Sequence, residues 1–133
     1  MSNEHRILLV DDEPLIRRSM QKTLSRLGFE VADAENCVDG LATFDAAHGT
    51  DKPFHMALLD LNMPGFNGQP QDGAGLELLS RLLEKQPGLP VIILSAYDEV
   101  TKAKEAISRG ARDYFVKGRD EGLVDLIDAI LDK

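Results

Sequence analysis

The feature that most constrains this chain is an alternation of two periodicities. Short, almost wholly apolar runs are separated by longer stretches whose apolar residues recur every three or four positions. Ile7 to Val10 reads as a buried strand, and Pro14 suits the first turn of the helix that follows. That helix takes its apolar residues from Leu15, Ile16, Met20, Leu24 and Leu27, and Gly28 closes it. Phe29 to Ala34 is a second strand and VDGLATFDAA a second helix. Met56 to Leu59 is a third strand, with Leu76, Leu78, Leu79, Leu82 and Leu83 in the helix after it. VIIL at 91–94 and the segment Asp113 to Val116 complete the strands. Val100, Ala103, Ala106 and Ile107 mark a fourth helix, and Leu123, Leu126, Ile127 and Ile130 a fifth.

Strands that are apolar on both faces belong in a parallel sheet covered by helices on each side. Right-handed crossovers leave few ways to connect five such units. The expectation is a flavodoxin-like, doubly wound α/β fold: a five-stranded parallel sheet in the order 2-1-3-4-5, with five helices on both faces. No internal repeat or linker interrupts the pattern, so residues 1–133 read as a single domain.

Composition narrows the function. Fifteen basic against twenty-three acidic residues give a net charge of -8, which argues against direct nucleic-acid binding. A lone cysteine, Cys37, offers neither an internal disulfide nor a cysteine metal cluster, and reads as a small residue packed on a helix. MSNEHRILLV carries no signal-peptide pattern, and no apolar run reaches membrane-spanning length. The expected setting is the reducing cytoplasm, without membrane insertion.

In an open α/β sheet, ligands bind beyond the carboxyl ends of the strands, at the switch in strand order. The polar residues expected there are Asp11 and Asp12 after the first strand, Asp60 and Asn62 after the third, Ser95 and Ala96 after the fourth, and Lys117 after the fifth. Asp60 ends an apolar run, and the chain breaks on Pro64 and Gly65 just beyond it. A carboxylate near an apolar interior costs free energy unless something pairs with it. Three carboxylates on adjacent strand ends repel one another, so one gains a proton unless a cation intervenes. Mg²⁺ suits such a set, because it takes oxygen ligands, keeps waters and binds one or two carboxylates beside a phosphate oxygen. With that charge balanced, Asp60 can attack phosphorus as carboxylates do in aspartyl-phosphate chemistry. Lys117 and Ser95 would meet the phosphoryl oxygens, and Ala96 leaves room for the group. Each residue alone has a plainer reading. Asp60 fits a turn, Asp12 a helix cap, Ser95 a cap for the fourth helix and Lys117 a solvated cation.

Four motifs in this order carry a resemblance. LLVDDEP, ALLDLNMPG, VIILSA and DYFVKG, each at the end of its own strand, resemble the receiver domain of two-component response regulators (CheY-like) over essentially the whole chain. The resemblance implies that Asp60 accepts a phosphoryl group from a phosphohistidine on a sensor histidine kinase or histidine phosphotransfer protein. It implies Mg²⁺ held by Asp12 directly, by Asp60 and by the backbone carbonyl of Asn62, with Asp11 ligating through water or orienting the site, and phosphoryl oxygens held by Ser95 and Lys117. Tyr114 matches the aromatic that rotates inward as the serine moves. Asn62 and Tyr97 match positions that tune dephosphorylation, and the bulk of Tyr97 implies a shielded, long-lived acyl phosphate. A phosphorylation-dependent homodimer is compatible with the resemblance, and the domain promotes its own phosphorylation and dephosphorylation without being an enzyme on a separate substrate.

Three features depart from the family pattern, and the bulky Tyr97 is one of them. Gly118 stands where a proline usually follows the lysine. QPQDGAG at 69–75 adds residues between the phosphoacceptor strand and its helix, read as a surface loop, either tolerated or a lid or recognition element. Rival readings fit less well. A haloacid-dehalogenase-like phosphatase would want a second aspartate where Asn62 stands, together with a cap domain. A flavodoxin would want a phosphate-cradling loop where Asp11 and Asp12 would repel phosphate. A degenerate receiver that binds without phosphorylation would not need the intact acidic set.

Overall fold

In the computed structural model, residues 5–61, 63–67, 70–71, 74–95, 100–117 and 120–131 are described. The elements follow in the order β1 (Arg6–Val10), α1 (Pro14–Arg26), β2 (Glu30–Ala34), α2 (Cys37–Ala47), β3 (Met56–Asp60), β4 (Met63–Pro64), β5 (Pro70–Gln71), α3 (Ala74–Lys85), β6 (Val91–Ser95), α4 (Val100–Ser108), β7 (Asp113–Val116) and α5 (Asp120–Leu131). Five of the strands form one sheet, β2-β1-β3-β6-β7, and all four pairings are parallel. Counting the strands of this sheet alone, the order is the expected 2-1-3-4-5.

Burial follows position in the sheet. Every residue of β3 and β6 is buried, whereas the edge strands β2 and β7 are only partly so. The pleat divides the apolar residues between two faces. Leu8, Val10, Ala57, Leu59, Val91 and Ile93 join one core cluster with side chains of α2, α3 and α4. Ile7, Leu9, Met56, Leu58, Ile92 and Leu94 join another with Met20, Leu24, Leu123 and Ile127 of α1 and α5. Each fully buried aliphatic side chain contributes about 1.5–3 kcal/mol relative to exposure, so the central strands dominate stability.

Local signals set the helix ends. The side chain of Asn36 accepts from the Asp39 amide at 2.8 Å, capping α2. At the end of α1, Gly28 adopts φ 93°, and the amides of Gly28 and Phe29 turn back to the carbonyls of Ser25 and Leu24. This is a left-handed stop that glycine accepts without a Cβ penalty.

Three expectations need correction. Leu15 is 79% exposed and Leu27 44% exposed, so neither belongs to the buried stripe of α1. Ile16, Met20 and Leu24 lie four residues apart and make that stripe; Leu15 is one residue, about 100°, around the helix, and Leu27 is already the C-cap. Ile107 likewise leaves the buried side of α4 to Ala103 and Ala106. The stretch read as a loop after β3 contains a short antiparallel pair, β4 with β5 (Met63 opposite Gln71, Pro64 opposite Pro70), and its last two residues, Ala74 and Gly75, already belong to α3.

Candidate functional site

The carboxyl edge of the sheet gathers the polar residues. The Asp11 amide continues the ladder by donating to the Ala34 carbonyl at 3.0 Å, and its Oδ1 accepts from the Glu13 amide at 2.8 Å. That turn reverses the chain into α1. Arg17, one turn into the helix, reaches back with Nη1 to the Asp11 carbonyl at 2.7 Å, while its Nε pairs with Asp33 at 3.2 Å. The acidic loop is therefore held to both β1 and β2.

Asp60 and Ser95 are the last residues of β3 and β6, one position earlier than a place beyond the strands, and both are buried. The Leu61 amide extends the β3–β6 ladder by donating to the Leu94 carbonyl at 2.9 Å. Ser95 Oγ is buried with no hydrogen-bond partner among the described residues, an open donor in an otherwise packed region. Lys117 follows β7, and its amide donates to the Ser95 carbonyl at 2.9 Å. Its Nζ lies 3.0 Å from Asp11 Oδ2, 3.1 Å from Asp60 Oδ2 and 2.6 Å from Glu13 Oε1. The two buried carboxylate oxygens stand at ion-pair distance without hydrogen-bond alignment, so Lys117 acts on them as a point charge.

Among the described residues, one lysine between so many acids leaves the charge unbalanced. Asp11, Asp12, Glu13 and Asp60 each offer an oxygen, and these all lie within 4.8 Å of one another. Burial, and then the Asp11 charge, push the Asp60 carboxyl up to about 8 against the opposing pull of Lys117. Asp11 is raised as well, by burial first, with the Glu13 amide and Lys117 working against it. Burial would lower Lys117, but its bond to Glu13 and the charges of Asp60 and Asp11 outweigh that and raise it. Buried carboxylates with under-satisfied oxygens form a donor set that fits a hard divalent cation.

Sequence reasoning placed Asp11, Asp12, Asp60, Ser95 and Lys117 at one edge, and the fold brings them together. Tyr114 lies on β7 opposite Ile93, half-buried against the α2–α3–α4 cluster. Asn62, Ala96, Tyr97 and Gly118 lie outside the described residues. Glu13 and Arg17 were missed. Glu13 sits beside the acidic pair in DDEP, and Arg17 falls four residues later, so helical spacing alone could have flagged them.

This sheet order with an acidic pocket at its carboxyl edge and a lysine just after the last strand defines a class: flavodoxin-like α/β domains with an acidic site at the switch point. The chain belongs to one family within it, the response regulator receiver domain of two-component signalling, which matches residues 7–130. Response regulator protein PilR of Pseudomonas aeruginosa is 30% identical over 90% of this chain, which spans only 24% of PilR. A CheY-like receiver domain protein from Methanospirillum hungatei superposes with a TM-score of 0.80 at 29% identity, covering 96% of this chain and 94% of that one. Response regulator TrrA of Thermotoga maritima, solved with Mg²⁺ and BeF, gives a TM-score of 0.76 at 30% identity, covering 95% and 98%. Among the described residues, no helix is long and apolar enough to cross a membrane.

Proposed function

We propose that this domain is a phosphorylation-dependent switch whose acceptor is Asp60. The observation that carries the reading is the buried pair Asp11 and Asp60 sharing a single lysine, with the Ser95 hydroxyl unpartnered beside them. A carboxylate oxygen of Asp60 attacks phosphorus. The phosphorus–nitrogen bond of a phosphohistidine donor breaks, and the imidazole leaves with the electron pair. The donor is a sensor histidine kinase or a histidine phosphotransfer protein. Lys117 and Ser95 hold oxygens of the transferred group, which draws Lys117 from Glu13 and Asp11 toward the phosphoryl charge.

Mg²⁺ would be held by Asp11, Asp12, Asp60 and the carbonyl of Asn62, and when bound it supplies positive charge to the phosphoryl oxygens. The complex of TrrA with Mg²⁺ and BeF supports that assignment by similarity. Water later hydrolyses the acyl phosphate to the carboxylate and inorganic phosphate, at a rate set in part by Asn62 and Tyr97. The domain has no separate turnover substrate. Contacts made only by the phosphorylated state shift the population toward a second arrangement of Ser95, Ala96 and Tyr114, and so change the surface offered to a protein target or a second copy. The net charge of -8 favours a protein over nucleic acid as that target.

Intact mass after incubation with acetyl phosphate tests this reading. One added phosphoryl group is expected with Mg²⁺ and none without it, and none in Asp60→Ala under either condition. Addition to Asp60→Ala, or no addition to the wild-type protein, would sink it.

A further inference from the structure

Gly75 stands as the second residue of α3, and glycine is a poorer helix former than alanine. Its backbone does not require glycine: among the described residues the glycines with positive φ are Gly28, Gly49 and Gly110, and Gly75 is not one of them. The reason is on its neighbour. A Cβ placed on Gly75 would lie 2.2 Å from the carbonyl oxygen of Asp60, 3.0 Å from its carbonyl carbon and 3.0 Å from Leu61 Cα. Carbon–oxygen contacts normally settle at about 3.3–3.6 Å, so one methyl group would force the two backbones roughly 1 Å apart.

Neither backbone has an easy direction of retreat. The Gly75 amide donates to the Leu61 carbonyl at 2.9 Å, tying the helix start to the residue after Asp60. Ala74 is buried with its carbonyl 3.5 Å from Cys37 Sγ of α2, and Leu76, Leu78 and Leu79 are packed in the core. On the other side the Leu61 amide is held by Leu94 of β6.

We propose that Gly75 is a positioning residue for the phosphoacceptor: its bare Cα lets the start of α3 seat directly on the Asp60 peptide and so sets where the Asp60 carboxylate stands relative to Lys117 and Asp11. The proposal rests on the reading of Asp60 as acceptor. It also explains how residues between β3 and α3 can be added, since the base of the excursion is closed at Leu61 and Gly75 whatever lies between them.

The test is the affinity for beryllofluoride in Mg²⁺, a phosphoryl mimic followed by fluorine NMR, in wild type, Gly75→Ala and Gly40→Ala. Gly40 is the control. A Cβ there would meet the Val10 side chain, at 2.9 Å from Cγ2, which burdens the core and leaves the Asp60 peptide alone. Far-UV circular dichroism and melting temperature report folding separately. Gly75→Ala is expected to fold and to lose roughly 10- to 100-fold in affinity, the scale of a ~1 Å misplacement, with Gly40→Ala destabilised but binding as wild type. Wild-type affinity in Gly75→Ala, or equal losses in both variants, would overturn the proposal. If Gly75→Ala does not fold, the wild-type amide resonances decide. The Gly75 amide must titrate with beryllofluoride while Gly40 stays still, and an unmoved Gly75 overturns the assignment. No binding by wild type would be a failure of the acceptor reading, and would take this inference with it.

Discussion

The two ends of the sheet treat charge in opposite ways. At the amino end, Arg6 pairs through Nε with Glu30 at 2.5 Å, donates to the Lys52 carbonyl and lies 4.7 Å over the Phe54 ring. Its acid partner is more than half exposed, so one cation meets one carboxylate that water still solvates. Beside it, the backbone amide of Arg6 donates to His55 Nδ1 at 2.9 Å, and the His55 amide returns to the Arg6 carbonyl at 2.8 Å. At the carboxyl end, one lysine faces two buried carboxylates and a third at the rim. The first arrangement is balanced and adds to stability. The second is unbalanced and buried, and costs stability.

The largest expected difference is in folding free energy. Asp60→Asn removes a buried carboxyl that must either hold a proton or bear a charge beside Asp11, so the metal-free protein should gain on the order of 1–3 kcal/mol in a urea titration at neutral pH. Arg6→Ala should lose about 1–3 kcal/mol with its aromatic and charged contacts, and leave phosphoryl uptake as it was. Two changes of the same sign would erase the contrast.

The pH profile sharpens it. The folded state holds the Asp60 proton more tightly than the unfolded chain, because its carboxyl is raised from 3.8 to about 8. That contribution to stability is complete below 3.8 and is lost as pH climbs toward 8, and Asp11, also raised, acts in the same sense. Metal-free protein should therefore weaken across this window in urea titrations, and saturating Mg²⁺ should remove the decline. A flat metal-free profile would mean that burial costs the two acids nothing.

Smaller effects come from the rims. Glu13→Gln frees Lys117 from its shortest contact, and phosphorylation by acetyl phosphate should quicken about 1.4- to fivefold, the equivalent of the ~0.2–1 kcal/mol of an ion pair at the surface. A slower rate would instead place Glu13 among the groups the site needs. The smallest step belongs to His55, which burial and then the neighbouring His5 and Arg6 hold below its usual 6.5. The folded state keeps it neutral, so its contribution is present above 6.5 and fades as pH falls below that value. A melting-temperature series should show this step in wild type and lose it in His55→Gln.

Much of this was legible in the chain because it depends on patterns that neighbours in sequence carry. Val91 to Leu94 can only be a strand buried on both faces, and Asp60 at the end of such a run demands a partner. The errors fall where a residue's surroundings come from elsewhere. Leu15 fits a helical count, yet it faces away from the sheet because Met20 and Leu24 already fill that contact. The pair β4 and β5 is two residues a side, too short for any alternation to show. Gly75 looks like loop punctuation until the Asp60 carbonyl is seen beside it.

Hydrophobic period and connection handedness were enough to set the alternation of strand and helix, the parallel sheet, and the acids and lysine at its carboxyl edge, since they leave little freedom once the elements are known. The tertiary structure decided which charges are buried together, that Lys117 also meets Glu13, that Arg17 ties Asp11 to β2, and that α3 sits on the Asp60 peptide. Burial and electrostatic coupling are properties of spatial neighbours, and residues 11, 60 and 117 become neighbours only once the sheet has closed around them.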